Sequence, residues 1–183
     1  MLKKMIILIV LSLLIAVGGA QAQVSITYSS GKKQHFTMNI ADDWLVNVGS
    51  GVDLSQKPED EKEPIRVISA MPGNGMPLWF GMWVPEELVT IQGVKEYVDS
   101  LGLELLDDVL TKERKFDTLN SMEVLYVSGT GKKEGEAMDF YAAFVQLAPE
   151  SVAIAIYIGP PETTSHHGKE LVQMVHSLQP VIQ

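Results

Sequence analysis

The chain has no cysteine. That excludes disulfides, thiol chemistry and Cys-ligated zinc, so stability must come from packing. Positive charge is also scarce, with 14 Lys and Arg against 23 Asp and Glu in 183 residues. Neutralisation of phosphates by Lys and Arg supplies most nucleic-acid affinity, so an acidic chain without a basic stripe is a poor partner for nucleic acid. It is equally poor at holding anionic lipid. No apolar run reaches the roughly 20 residues that a membrane-spanning helix needs. Internal repeats and low-complexity tracts are missing as well.

The first residues, "MLKKMIILIVLSLLIAVGGAQAQ", have the pattern of an export signal. Lys3 and Lys4 form a positive start, Met5 to Val17 an apolar stretch, and Ala20-Gln21-Ala22 a small-residue cleavage site. The competing reading is an uncleaved anchor. Residues 1–22 are therefore expected to be a signal peptide, and residues 23–183 a single domain in the periplasm, with no membrane insertion after cleavage. Cleavage would remove two Lys and no acid, leaving 12 basic against 23 acidic residues, a net charge of −11.

Along that domain, "SITYS" and "HFTMNI" alternate about a turn at residues 30–33, as a hairpin does. "WLVNVG", "IRVISAM" and "LWFGMWV" read as three more strands, interrupted by the solvated loop "DLSQKPEDEKEP" at residues 53–64. A helix is expected from Pro85, with Leu88, Ile91, Val94, Val98 and Leu101 on one face and Gly102 as its stop. The second half predicts a β-meander, "DDVLTKERKF", "MEVLYVSG", "AMDFYAAFVQL" and "SVAIAIYIG", with turns at residues 129–131 and 148–151. A last helix carries Leu171, Val172, Met174, Val175 and Leu178. Strands apolar at nearly every position imply a sheet covered on both faces. The fold class is therefore α+β, an antiparallel sheet flanked by helices.

Recognisable catalytic patterns are few. "SGTGKKEG" at residues 128–135 lacks the first Gly and the Ser/Thr of a phosphate-binding loop and lies between strands, so it reads as a hairpin turn. His166 and His167 are adjacent rather than four apart, which does not place two imidazoles on one helix face. The acid pairs Asp42-Asp43, Glu86-Glu87 and Asp107-Asp108 suit caps and solvated turns better than a glycosidase cleft, whose carboxyls face each other across a gap. No nucleophile elbow occurs. No catalytic residue and no cofactor are expected.

"AMPGNGMPLWFGMWVPEE", residues 70–87, holds three of the nine Met and two of the three Trp. At period two, Trp79, Gly81 and Trp83 share one face, and the missing side chain at Gly81 would leave a slot between two indoles. Three readings are open. Trp79 and Trp83 pack in the core; or they form a surface for a protein partner, together with the acidic Glu59, Asp60, Glu61 and Glu63; or Met71, Met76 and Met82 with His35 make a soft-ligand site for Cu(I).

"HFTMNIADDWLVNVG", "EELVTIQGVKEYVDSLG", "VLTKERKFDTLNSMEVLYVSGTG" and "FYAAFVQLAPESVAIAIYIGPPE", the last followed by a helix ending in "VHSLQP", occur in an order that resembles the PsbP/DcrB-like family. The likeness spans nearly all of residues 24–180; Asn120-Ser121 departs from it where a turn Asn-Gly is expected. It implies an antiparallel sheet with flanking helices, one domain, no catalytic residues, and an accessory or partner-binding role. Joined to the export signal and the missing catalytic patterns, the expectation is a periplasmic factor that binds or helps assemble another envelope protein.

Overall fold

The computed structural model describes residues 22–52, 65–95, 97 and 105–181. The signal-like segment and the acidic loop, with Glu59, Asp60, Glu61 and Glu63, lie outside the described residues. Two antiparallel sheets carry the fold. The smaller pairs β1 (Gln23–Ser30), β2 (Lys33–Ala41) and the two-residue β10 (Gln179–Pro180) in the order β1-β2-β10. The larger comprises β3 (Trp44–Val52), β4 (Ile65–Pro72), β5 (Trp79–Trp83), β6 (Asp107–Leu119), β7 (Met122–Lys133), β8 (Glu136–Ala148) and β9 (Ser151–Gly159). Its order is β3-β4-β5-β9-β8-β7-β6: two meanders joined where β5 pairs with β9.

The 16-residue helix α1 (Pro161–His176) packs against β2 of the small sheet and against β8 and β9 of the large one. Pro in its first turn, Glu162 near its start and His176 near its end suit the helix dipole. Leu171, Met174 and Val175 are buried beneath it, each contributing roughly 1.5–3 kcal/mol of apolar burial. Ala143 opposite Ala155, and Val145 opposite Ala153, keep the sheet surface on that side low enough for a helix to approach.

The β-meander, the first hairpin and the final helix follow the sequence expectation, and the α+β class holds. Two details differ. The Gly129-Thr130-Gly131 segment is strand rather than turn, and the chain reverses at Glu134-Gly135, both with positive φ. Gly129 stays in the ladder because a side chain there would collide with the Leu110 carbonyl and the Phe140 ring. The helix expected from Pro85 does not start there. Thr90 is extended (φ −138°, ψ 153°), Ile91–Gly93 form a 3-10 turn, and Val98 and Leu101 lie outside the described residues.

A side chain explains this second difference. Gln146 of β8 accepts a hydrogen bond from the Ile91 amide (3.1 Å) and donates to the Val89 carbonyl (2.9 Å). It thereby satisfies backbone groups that an early helical turn would have used. The apolar periodicity is still used, because Leu88, Ile91 and Val94 are all buried.

Candidate functional site

Alternation on the large sheet decides what each residue of the 70–87 segment can do. Trp79, Gly81 and Trp83 do share a face, opposite Ile158, Ile156 and Ile154 of β9. No slot separates the indoles, however. The Trp79 ring lies across Gly81, where a Cβ would come within 2.2 Å of its Cη2 and 2.5 Å of its Cζ2. Trp83 is a core residue, 1% exposed, and its Nε1 donates to the Tyr97 hydroxyl at 3.1 Å. Burial pushes the Tyr97 hydroxyl up to about 12. Trp83 therefore offers no surface to a partner, while Trp79 keeps a partly exposed edge.

The thioether set does not assemble. Met82 is fully buried on the other face, paired with Ile68 and Ala155, whereas Met71 has the parity of Ser69 and Gly81 and points away from it. Met76 belongs to the connection at residues 73–78, and His35 to β2 of the small sheet. His35 Nε2 is 2.7 Å from the Ser30 hydroxyl, and burial lowers its pKa. Among the described residues, no group of three or more His, Asp or Glu could hold a metal ion.

What the register does build from these residues is an apolar row. Leu45 of β3 pairs with Met71 of β4, the β4–β5 register continues to Trp79, and Trp79 pairs with Ile158 of β9. Leu45 is 63% exposed and Met71 47%, and burial increases through Trp79 to Ile158. The same end of the sheet carries the exposed pair Asp42-Asp43, whose turn is held by a hydrogen bond from the Gly73 amide to the Asp43 carbonyl. The row is an apolar strip with an acidic rim.

A second feature escaped the sequence reading. Tyr126 of β7, Tyr141 of β8 and Tyr157 of β9 stand on the face that α1 covers. Tyr141 and Tyr157 are cross-strand partners, stacked at 5.4 Å and 15°, and Tyr126 lies 5.5 Å from Tyr141. Burial raises the pKa of all three. Hollows of about 330 and 290 Å³ flank this ladder and share Ser128 and Tyr141. The signal lay in the spacing, since residues 126, 141 and 157 fall on consecutive hairpin strands.

The arrangement defines an α+β protein with one helix of appreciable length among the described residues, none of which forms a helix long and apolar enough to cross a membrane. The chain matches no protein-family model and no curated protein. Among solved structures it is similar to cyanobacterial PsbP (CyanoP) from Synechocystis sp. PCC 6803, with a TM-score of 0.58 and 8% identity over 91% of this chain and 98% of that one. It is also similar to PA94, a protein of unknown function from Pseudomonas aeruginosa, with a TM-score of 0.50 and 14% identity over 87% and 99%. A Bacteroides thetaiotaomicron protein gives a TM-score of 0.51 and 12% identity over 81% of this chain and 46% of that one. At such identities the likeness concerns the fold, which is PsbP-like.

Proposed function

We propose that the protein is an exported, non-catalytic accessory factor of the cell envelope that binds or helps assemble another envelope protein. The observation that carries this reading is the exposed row Leu45–Met71–Trp79. Large apolar side chains lined up across three strands at an open sheet edge are what a protein partner covers. Asp42 and Asp43 at the same end select a partner whose apolar ridge is flanked by basic residues. Glu59, Asp60, Glu61 and Glu63 join the proposal on charge alone. Export rests on the pattern of residues 1–22, and the non-catalytic reading on the lack of any nucleophile–base pair that the sequence can name.

The test is photo-crosslinking in the native host, with a benzophenone amino acid placed at position 45 or 71. The reading expects one dominant protein adduct, which a charge at the neighbouring position of the row (Met71→Asp or Leu45→Asp) abolishes. An adduct of equal yield from position 169 on α1, or none from the row, would sink it.

A further inference from the structure

The tyrosine ladder lies on the opposite face from the apolar row, so what it does is independent of the reading above. The trough beside it has a definite construction. Its floor is the β7–β8 seam, with Tyr126, Ser128 and Tyr141. One wall is α1, from Pro161 and Thr164 at its start to His176 at its end. The other is the edge strand β6, through Lys112, Glu113, Lys115 and Asp117. A helix of 16 residues gives the trough a length of about 24 Å.

Three observations define what fits. First, no described residue hydrogen-bonds to the hydroxyls of Tyr126, Tyr141 or Tyr157. The stacked rings present edges and hydroxyl tips, a comb of groups that each donate and accept. Ser128, Thr118 and Ser165 add aliphatic hydroxyls to the same walls. Second, the charges nearly cancel. Lys115 pairs with Asp117 and Lys112 is 4.0 Å from Asp139, which leaves Glu113 as one further acid on the exposed wall; a single exposed carboxylate repels an anion and holds a cation only weakly. Third, the floor is a sheet face. An extended peptide gains its affinity by pairing backbone with a sheet edge, and a face offers no backbone partners.

We propose that this trough binds an extended, uncharged oligosaccharide. Sugar hydroxyls are donors and acceptors like the tyrosine comb, and the C–H face of a pyranose ring packs on the exposed Val172, which borders the ladder. The paired Lys112 and Asp139 take up peripheral hydroxyls as charge-assisted partners.

The experiment is titration of the ¹⁵N-labelled protein with cellotetraose, maltotetraose and chitotetraose in turn, followed by calorimetry. The inference expects saturable shifts at Tyr126, Ser128 and Tyr141 with at least one of the three at millimolar concentration. Tyr141→Phe keeps the ring stack and removes one hydroxyl, and should weaken that binding about tenfold, as loss of one ligand hydrogen bond does. Lys112→Ala, on the exposed wall, gives a second loss that does not depend on the ladder's packing. Absence of shifts with all three sugars, shifts that map to another face, or affinity unchanged in both variants would overturn it.

Discussion

The indole Nε1 of Trp44 donates to Oε2 of Glu170 at 3.1 Å, joining the first residue of β3 to the middle of α1. The same oxygen lies 2.8 Å from His167 Nδ1, and because an ionised carboxylate only accepts, the contact keeps the proton on Nδ1. Trp44 and His167 are both buried, with rings edge to face at 5.5 Å. Trp44→Phe should keep most of the apolar burial and lose one hydrogen bond, costing about 1 kcal/mol. Glu170→Ala strands two buried donors and should cost roughly 2–4 kcal/mol. Urea unfolding of both variants and their double mutant measures this. Additive losses would mean that the indole and the carboxylate are not coupled.

Gly81 holds the Trp79 indole. In Gly81→Ala the new methyl occupies the place of the ring's far end, and the half-exposed indole has room to swing outward. The expected result is a red shift of Trp emission with a stability loss of about 1–3 kcal/mol, the usual cost of overpacking. Emission unchanged from the parent would show that the ring does not rest on Gly81.

Legibility divides along physical lines. Period-two alternation and runs of apolar residues marked most strands, because a strand with one face in the core alternates and one covered on both faces, such as β9, is apolar nearly throughout. The Trp79/Trp83 question was open in sequence, since parity says which residues share a face and not how deep that face lies. Depth came from pairing with β9, a contact between segments some 75 residues apart. The start of the central helix was misread because Gln146, a polar residue in an apolar strand, satisfies the backbone near Ile91. The tyrosine ladder needed the register of three strands at once. Turn residues 129–131 were misplaced because glycine marks a close approach inside a strand as well as a reversal.

The β6–β7 turn departs from Asn-Gly at a cost. Asn120 and Ser121 both have positive φ, 49° and 68°. Asn tolerates this region, and its side chain is engaged as well, with Nδ2 donating to the His176 and Leu178 carbonyls at 2.9 Å each. Ser121 has no such compensation among the hydrogen bonds of the described residues. Ser121→Gly should therefore raise stability by about 1 kcal/mol. Asn120→Gly should lower it by a similar amount, since it relieves φ but frees two carbonyls at the end of α1. Thermal melts of the pair check both signs, and a fall in Tm for Ser121→Gly would refute the strain argument.

Alkaline pH should unfold the protein cooperatively. All five tyrosines, residues 28, 97, 126, 141 and 157, have their pKa raised, with burial the largest cause in each case. A folded-state pKa above the unfolded value means that the stabilisation is complete below the unfolded pKa of about 10 and is lost as pH rises through the folded one. For Tyr97 that window runs from about 10 to about 12. Within it, a tyrosine ionised only in the unfolded chain lowers stability by at most about 1.4 kcal/mol per pH unit. The expected record is little tyrosinate absorbance at 295 nm until the far-UV circular dichroism collapses, with the two transitions coincident. Tyr97→Phe strands the buried Trp83 Nε1 and should lower stability by about 1–3 kcal/mol at neutral pH, while making its fall between about pH 10 and 12 shallower. Tyrosinate appearing on a simple curve centred near pH 10, before any loss of structure, would contradict the upward shift of these hydroxyls.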